Sequence, residues 1–573
     1  MKEKIMPAEV LAEKENKIEE ESKIEKAIAE AESLAKELED YVAKLRLKEK
    51  VLAEAPEKGV IYQGRDAWQY AEYLLEGGFY ENIHAFKAAV NIAKAVKERG
   101  GAAMLVGGGV RDEIMGLPIK DYDLEVYNIE PEELRNLVAQ FGELNEVGKA
   151  FGILKIRVAD TEIDVSLPRR ESKTGKGHKD FSVSSDPKMS VKEAARRRDF
   201  TINSLAKDIL TGRIYDYFGG VEDLKNRMLR VTDEERFKDD PLRVLRAVQF
   251  VGRMGLMIED ESARIIREMR PELKYLPKER LKEEWLKLFT KSRKPSLGLN
   301  AAMELGIFHE LHKDEIVPLM STPQEPEWHP EGDVWIHTLM VVDEAAKIVE
   351  RERLKGDDAI IVLLSAFCHD LGKPATTEFK EGRVRSHGHE PAGVAPSEKF
   401  LSDIGVGDKH IVEAILKIVE NHLWPAMQYT NEVKKGLKVS DGAFRKLARK
   451  MTPATIEQLV HVAEADHLGR GPFPDPNEPG KYFMPAYDPA KNWMLKRAKE
   501  LNISKEVPAP LLQGRDLVAL GFKPSKTFGQ IIKTADVLRD ERGMKREDVL
   551  FIISENKNES QEKVLEKLKE KLK

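Results

Sequence analysis

Two aspartates that follow a glycine turn, Asp121 and Asp123, are the residues of this sequence best suited to metal chemistry. An apolar stretch at 102–106 runs into three glycines at 107–109, and the chain then returns toward the aspartates. Side chains alternate along a strand, so both carboxylates are expected on one face. Hard cations such as Mg²⁺ bind carboxylates together with substrate phosphates. The pattern predicts a nucleoside triphosphate site, although a solvated surface hairpin would carry the same residues.

The elements that would position this pair follow a mixed α/β order. A helix is predicted over 83–97, where apolar residues recur at helical spacing before the glycines at 100–101. A strand follows directly, and the later glycines do not take the G-x-G-x-x-G form of a dinucleotide fold. Further strands are predicted at 154–158 and 162–165. On the last of these, Asp164 could add a third carboxylate or simply lie at a sheet edge.

Length and composition limit the classes of protein that remain. The chain has 573 residues, enough for about three to five domains. Its single cysteine excludes a disulfide framework and a Cys-based zinc site, which is typical of a reducing compartment. There is no long apolar run and no apolar N-terminal signal core, so a cytoplasmic protein without a membrane span is expected.

The charge is unevenly distributed along the chain. Residues 264–294 hold 11 basic and 5 acidic side chains, the composition expected of a surface that meets a polyanion, and a solvated helix face remains the alternative. The N-terminal segment 8–55 lacks glycine and repeats apolar residues at a 4-3-4-3 spacing between 24 and 45. A coiled coil that oligomerises the protein and a solvated helix are both consistent with that spacing.

Several motifs occur in one order: GGGVRD at 107–112, DYDL at 121–124, LPRRESKTGKGHKDF at 167–181, RRRDFTINSLA at 196–206, DYFGGVEDL at 216–224 and DDPLRVLRAVQF at 239–250. Together they resemble the class II tRNA nucleotidyltransferases, the CCA-adding enzymes, and their poly(A) polymerase relatives. The resemblance covers about residues 100–470, with an echo at 514–522. It implies an α/β nucleotidyltransferase palm followed by mostly α-helical neck, body, HD and tail domains. The expected divisions are a charged helical extension at 1–60, the palm at 61–230, a helical neck and body at 231–325, an HD domain at 326–470, and a linker with a helical tail at 471–573.

Nucleotidyl transfer needs an attacking hydroxyl, an in-line α-phosphate and a departing pyrophosphate, so the protein mainly positions groups and holds metal ions. Asp121 and Asp123 are expected to be the catalytic ligands of Mg²⁺. The backbone of Gly108 and Gly109 can approach the triphosphate because no Cβ obstructs it. Charged and polar side chains for phosphate and ribose are expected from Arg111, Arg197, Arg198, Asp199 and Asn203, although a structural ion-pair network is the alternative for the arginines.

Base selection is assigned to Asp240 and Arg243, which lie one helical turn apart. Cytosine and adenine both present an exocyclic amine beside a ring nitrogen acceptor, so one carboxylate and one guanidinium can pair with either base and mismatch uracil and guanine. The resemblance implies that this pair is the protein template of the class II enzymes, with Arg246 in the same nucleotide-binding set. The family pattern usually begins with glutamate, and Asp239 stands at that place here.

An ordered series of histidines and aspartates follows, and it resembles the HD phosphohydrolase superfamily. Imidazole and carboxylate suit a divalent metal whose identity the sequence leaves open. The expected metal ligands are His337, His369, Asp370 and Asp466. A second metal or phosphate site is expected to involve His389 and His422. In the family such an appended domain has phosphatase and 2′,3′-cyclic phosphodiesterase activity.

The sequence therefore predicts an enzyme that adds CCA to the 3′ end of tRNA from CTP and ATP, using Mg²⁺, with a phosphohydrolase activity in a second domain. A poly(A) polymerase, or an enzyme restricted to CC or A addition, shares the palm motifs and is the first alternative. An HD phosphohydrolase whose palm has become a non-catalytic RNA-binding platform is the second. The basic stretch 264–294 would contact the tRNA backbone.

Overall fold

The computed structural model describes residues 60–63, 80–117, 119, 121–145, 153–158, 161–173, 181–475 and 481–572. The predicted N-terminal helix lies outside these residues, and so does the segment for which a coiled coil was considered. The chain divides into two compact units. The first comprises residues up to Asp240 together with 257–262, and the second comprises the remainder.

The first unit is built on a mixed eight-stranded sheet. Its strands are β1 (Val60–Gln63), β2 (Ala102–Val106), β3 (Tyr122–Tyr127), β4 (Glu143–Asn145), β5 (Ile153–Val158), β6 (Thr161–Ser166), β9 (Ala206–Asp208) and β10 (Arg213–Asp216). Across the sheet the order is β1-β10-β9-β2-β3-β6-β5-β4, and β3 pairs with β6 in parallel while the other pairs are antiparallel. Two shorter ladders pair β7 (Arg169–Lys173) with β8 (Phe181–Ser185), and β11 (Met228–Leu229) with β12 (Met257–Ile258).

The helices of this unit are short except for the first. They are α1 (Tyr80–Glu98), α2 (Gly108–Ile114), α3 (Pro131–Val138), α4 (Val191–Arg196), α5 (Gly220–Lys225) and α6 (Glu234–Phe237), with a 3₁₀ turn at Thr201–Asn203. In α1 the residues Ala89, Ile92 and Val96 recur at helical spacing and are buried where the helix packs on the sheet. The helix predicted over 83–97 and the strands predicted at 102–106, 154–158 and 162–165 are therefore confirmed. The α/β palm is confirmed with them.

From residue 242 the chain is mostly helical. The elements up to residue 321 are α7 (Leu242–Met254), α8 (Asp260–Met269), α9 (Lys278–Lys291), α10 (Pro295–Glu304) and α11 (Ile307–Leu311), with 3₁₀ turns at Arg270–Tyr275 and Val317–Ser321. The next group comprises α12 (Val334–Arg351), α13 (Gly356–Cys368), α14 (Lys373–Thr376), the hairpin β13 (Glu378–Lys380) and β14 (Arg383–Arg385), α15 (His389–Ala392), α16 (Val394–Asp403), α17 (Lys409–Val419), α18 (Trp424–Tyr429), a π turn (Thr430–Lys434), α19 (Asp441–Met451) and α20 (Ile456–Leu468).

Three helices of the second unit, α12, α13 and α20, pack on one another. The Asp333 side chain caps α12 by accepting from the Ile336 amide, and Thr455 forms a capping box with Gln458 at the start of α20. Helix α13 is apolar along most of its length and is buried accordingly, including Cys368 at its end. The packing of the three helices on one another fixes the positions of the side chains that they carry.

The last part of the chain is a small helical tail. A minimal hairpin, β15 (Phe473–Pro474) and β16 (Tyr482–Phe483), lies in the stretch expected to be a loop, and α21 (Pro489–Glu500), α22 (Gly514–Ala519), α23 (Lys526–Arg542), α24 (Arg546–Glu555) and α25 (Gln561–Glu570) follow. Helix α25 carries an apolar stripe of Val564, Leu565 and Leu568, which is buried in the tail core. No helix among the described residues is both long enough and apolar enough to cross a bilayer.

Candidate functional site

The glycine turn of the first unit connects β2 to a helix. Gly107 has φ 68° and ψ −127°, a conformation that L side chains rarely adopt, and α2 starts at the next residue. Strands β2 and β3 pair antiparallel as predicted, but a helix stands between them where the sequence indicated only a turn. A Cβ on Gly109 would lie 3.4 Å from the carbonyl oxygen of Asp121. The start of α2 therefore packs directly against the chain that leads into the two aspartates.

Three carboxylates gather at this end of the sheet. Asp123 on β3 is paired in register with Asp164 on the parallel strand β6, and Asp121 is exposed just before β3 begins. Lys155 Nζ lies 3.3 Å from Asp164 Oδ1. Burial, with the added repulsion of Asp164 and Asp121, raises the pKa of Asp123 to about 6. A divalent cation would relieve that repulsion, so the oxygen donors present fit Mg²⁺.

Three of the predicted nucleotide-binding residues, one of them on α2, form one hydrogen-bond network. Arg111 Nη1 donates to Asn203 Oδ1 at 2.8 Å, and Asn203 Nδ2 donates to Asp199 Oδ1 at 2.9 Å. The Nε and Nη2 groups of Arg111 donate to Asp112 Oδ1 at 2.8 and 2.6 Å. The motifs at 107–112 and 196–206 are therefore brought together by direct hydrogen bonds, although the contact of these residues with a nucleotide stays a prediction.

Two of the three arginines in the motif at 196–206 contact a buried carboxylate that the sequence analysis missed. Arg197 Nη2 and Arg198 Nη2 donate to the two oxygens of Glu125 at 2.9 and 3.1 Å. Tyr127 donates its hydroxyl to Glu125 at 2.6 Å. Burial alone would raise the pKa of Glu125, but the two guanidinium groups lower it below its ordinary value. The signal in the sequence was its position two residues after Asp123, on the same face of β3.

The residues assigned to base selection fall at the division between the two units. Asp240 belongs to the first unit, whereas Arg243 and Arg246 lie on α7 in the second. The guanidinium carbon of Arg246 is 5.4 Å from the centroid of the Phe250 ring. The role of these residues in reading a base stays a prediction.

The basic stretch 264–294 spans α8 and α9. Arg264, Lys278 and Lys287 lie within 3.4 Å of carboxylates on their own unit, so their charges are partly neutralised. Lys291 and Lys294, at the end of α9, are exposed.

The histidines and aspartates of the second unit converge on one buried cluster, which we call the HD cluster (His337, His369, Asp370, His389, His422 and Asp466). His337 Nε2 lies 3.1 Å from Asp466 Oδ1 and 3.4 Å from His369 Nε2. His389 Nε2 lies 3.4 Å from Asp370 Oδ1 and 3.3 Å from His422 Nε2. The six side chains form two adjoining sets of three donors. His387 is exposed and belongs to neither set.

Backbone carbonyls orient three of these imidazole rings. The Nδ1 atoms of His369, His389 and His422 lie 2.7–2.8 Å from the carbonyl oxygens three residues earlier in the chain. Each Nδ1 is therefore the protonated nitrogen, and each Nε2 turns its lone pair toward the cluster. Burial, with the neighbouring His369 and His389, lowers the pKa of His422 to about 3, which keeps that ring neutral.

Two cations border the carboxylates of the HD cluster. Lys373 Nζ is 2.7 Å from Asp370 Oδ2, yet within the described part of the chain neither oxygen of this buried aspartate receives a well-directed hydrogen bond. Arg470 contacts both oxygens of Asp466 at 2.8 Å. Burial alone would raise the pKa of each aspartate, but the adjacent positive charges hold both pKa values well below the usual range. Ionised carboxylates beside imidazole nitrogens fit a divalent metal.

Two further residues that the sequence analysis missed lie beside His337. Glu331 Oε1 is 2.8 Å from His337 Nδ1 and 2.9 Å from His329 Nδ1. Both come from the segment just before α12. An acidic residue six positions ahead of the first histidine was the available signal, and it is too weak to recognise without the fold.

Three family models match the chain. The Poly A polymerase head domain matches residues 103–230, the probable RNA and SrmB-binding site of polymerase A matches 255–315, and the HD domain matches 334–470. The chain joins a poly(A) polymerase head domain to an HD domain. The head domain contains the three carboxylates, and the HD domain contains all six residues of the HD cluster. The family resemblance inferred from the motifs is thereby confirmed.

Solved structures of the same fold include CCA-adding enzymes. The enzyme from Bacillus stearothermophilus in complex with CTP is 20% identical with a TM-score of 0.54, over 83% of this chain and 98% of that chain. The Thermotoga maritima enzyme complexed with tRNA is 17% identical with a TM-score of 0.51, over 90% of this chain and 100% of that chain. A CCA-adding enzyme complexed with ATP is 18% identical with a TM-score of 0.55, over 87% and 100%. The likeness in fold thus spans nearly the whole of each relative.

Proposed function

We propose that the protein adds CCA to the 3′ end of tRNA from CTP and ATP without a nucleic-acid template. The observation that carries the proposal is the parallel pairing of Asp123 with Asp164, beside Asp121 and the start of α2. This arrangement gathers carboxylates next to backbone N–H groups, which is what a metal-bound triphosphate requires. The matches to the head domain and to the RNA-binding model support the same reaction.

In this proposal the residues of the head domain bind and orient the reactants. Asp121 and Asp123 hold Mg²⁺, which when bound neutralises charge on the α-phosphate and the departing pyrophosphate. The N–H groups of Gly108 and Gly109 face the triphosphate, and Arg111 offers a charged donor fixed by Asn203. The side chains thereby hold the tRNA hydroxyl and the phosphate in line, which lowers the entropic cost of reaction.

Base selection is proposed for Asp240 and Arg243, with Arg246 nearby on α7. A carboxylate that accepts from the exocyclic amine and a guanidinium that donates to the ring nitrogen suit cytosine and adenine alike. The network of Asp199 would then orient the ribose, a role that the sequence also suggested for Arg197 and Arg198. The contacts of both arginines with Glu125 favour a supporting role for them, as part of the alternative ion-pair network.

The main experiment supplies tRNA that ends at the discriminator base, at C or at CC, with each labelled nucleotide and Mg²⁺. Addition of C, C and A followed by arrest supports the proposal. Continued adenylation would instead indicate a poly(A) polymerase, and addition of only C or only A a restricted enzyme. We expect Asp123→Asn to lower the rate by a factor on the order of 100 or more, because a contact to transition-state charge is lost. Glu132→Gln, an exposed carboxylate on α3, is the matched control.

We propose a second, phosphohydrolase activity for the HD cluster, carried by its two adjoining sets of three donors. His337, His369 and Asp466 would bind one divalent metal, and Asp370, His389 and His422 a second metal or the substrate phosphate. A metal bound there would supply an activated water and polarise a phosphoryl oxygen. Hydrolysis of 2′,3′-cyclic AMP by the wild type and its loss in His369→Ala tests this activity. Hydrolysis without any nucleotide addition would favour the non-catalytic palm.

A further inference from the structure

We infer that Glu331 is a positioning residue for the metal ligand His337, a role that follows from where this histidine lies in its helix. The inference rests on the metal centre proposed above. His337 is the fourth residue of α12, and the backbone carbonyl of Asp333 already accepts its own amide. The carbonyl three residues earlier, that of Val334, accepts from the Thr338 hydroxyl at 2.8 Å, and no bond from the His337 ring to it is formed among the described residues.

The other three histidines of the HD cluster do not have this difficulty. His369 caps the end of α13, His422 follows the end of α17, and His389 begins α15. At each of these helix ends or turns a carbonyl three residues earlier is available, and it accepts from Nδ1. Only His337, among the four, depends on a side chain from outside its own element.

Glu331 meets this need with a carboxylate that is itself held in place. Its side chain is 1% exposed, and Oε1 lies 2.8 Å from His337 Nδ1, a close charged contact that is not well directed as a hydrogen bond. The other oxygen accepts from the Gly471 amide at 3.0 Å, one residue after Arg470, which contacts Asp466. Because a carboxylate on Nδ1 fixes the tautomer and raises the basicity of Nε2, Glu331 strengthens the donor atom that faces Asp466 and His369.

The segment that carries Glu331 contacts the HD cluster a second time. Gln324 Oε1 accepts from Lys373 Nζ at 2.7 Å, and the same ammonium group borders Asp370. Gln324 also donates to the carbonyl oxygens of Gly332 and Asp333. Hydrogen bonds therefore join the two ends of the segment 322–333, which keeps Glu331 at a fixed distance from the start of α12.

The test measures Ni²⁺ binding to the full-length protein by calorimetry. Binding that is lost in His369→Ala defines the share belonging to the HD cluster. Glu331→Ala should weaken that share 10–100-fold, the range found for partners that orient metal-bound histidines. Glu331→Gln keeps an oxygen acceptor but no charge, so it should lose less affinity than alanine and still bind more weakly than the wild type. Glu350→Gln, an exposed carboxylate on α12, is the matched control and should bind like the wild type.

The outcomes separate this inference from the proposal beneath it. If the wild type and His369→Ala bind Ni²⁺ equally, the metal centre itself is wrong. If the centre binds but both Glu331 variants match the wild type, the positioning role is wrong. Loss of a whole Ni²⁺ equivalent in His329→Ala would make His329 and Glu331 ligands and would also overturn the inference. Should Glu331→Ala unfold in chelator, the comparison of Glu331→Gln with the wild type decides.

Discussion

Gly108 and Gly109 stand side by side at the start of α2, yet a side chain would meet different surroundings at each. A Cβ on Gly108 would approach only the guanidinium of Arg111, at 3.5 Å, which is an ordinary contact. A Cβ on Gly109 would lie within 3.4 Å of Leu105, Ile119 and the Asp121 carbonyl. Gly109 is therefore needed for packing. A Cβ would fit at Gly108, so packing within the protein does not require glycine there.

Alanine substitution should separate these two roles. Gly108→Ala is expected to leave the thermal unfolding midpoint unchanged and to raise KM for CTP and ATP about tenfold, because the methyl group keeps the triphosphate away from the backbone amides. Gly109→Ala should lower the unfolding midpoint, because tight neighbours must shift. Steady-state kinetics and calorimetry on both variants check the expectation, and an unchanged KM in Gly108→Ala would remove Gly108 from the triphosphate site.

At the scale of single residues, the sequence predicted the metal-binding and nucleotide-binding side chains better than the residues that contact them in the fold. The spacing of Asp121 and Asp123 was sufficient to single them out, since strand geometry places alternate residues on one face. Glu125 and Glu331 were missed because their importance comes from what they touch after folding. Arg197 and Arg198 belong to a recognisable motif, but only the fold reveals the buried carboxylate between them.

At the scale of elements, α9, α11 and α16 enclose a histidine outside the HD cluster. His312 follows α11 and packs against the rings of Trp285, Phe308 and Phe400 at centroid distances of 5.0–6.2 Å. Neither ring nitrogen has a hydrogen-bond partner among the described residues. Burial lowers the pKa of His312 to about 4; Asp403 opposes this effect and Lys399 adds to it.

Acid should therefore destabilise the protein through this residue. Between about pH 6.5 and pH 4 the unfolded state binds a proton that the folded state excludes. The contribution of His312 to the free energy of unfolding is therefore fully present above about pH 6.5 and falls as the pH drops. The loss attributable to His312 is about 2 kcal/mol at pH 5. Urea unfolding at pH 7.5 and 5.0 should show a smaller pH difference in His312→Leu than in the wild type. His410→Leu, an exposed histidine on α17, should behave like the wild type.

The helix with a regular apolar repeat was predicted correctly, and the short helix α2 was not. Residues 83–97 repeat apolar side chains over four turns, a spacing that predicts a helix. Helix α2 has only seven residues, two of them glycine, and it was read as a turn because glycine is unfavourable in helices. Its packing against β2 and β3 outweighs that propensity.

At the scale of the whole molecule, the chain contains two candidate centres of different donor chemistry. The head domain offers carboxylate oxygens, which suit hard cations, and the HD cluster offers mainly imidazole, which suits transition metals. Motifs in the sequence identified both domains because each is contained in one contiguous stretch. The sequence did not predict the partition of Asp240 and Arg243 between two units, because they are only three positions apart. Asp240 precedes α7 and Arg243 lies in its first turn, so the predicted helical turn between them is not formed.

The two centres should fail separately when each is disabled. Asp123→Asn is expected to stop nucleotide addition and to leave hydrolysis of 2′,3′-cyclic AMP within about twofold of the wild type, because the two sites share no ligand. His369→Ala should show the reverse. Both activities are measured on the same preparations of full-length protein. Loss of both activities in one variant whose unfolding midpoint is unchanged would contradict two independent centres.

The parallel pairing of β3 with β6 has a consequence for synthesis of the chain. Asp123 and Asp164 are neighbours in the sheet but about forty residues apart in sequence, and β4 and β5 lie between them in the chain. Closing a contact of that length costs entropy that local structure does not repay. Apolar neighbours such as Leu124 and Val165 must supply the driving force, against the repulsion of the two charges. A nascent chain that ends before β6 therefore contains both motif aspartates but not the completed carboxylate cluster.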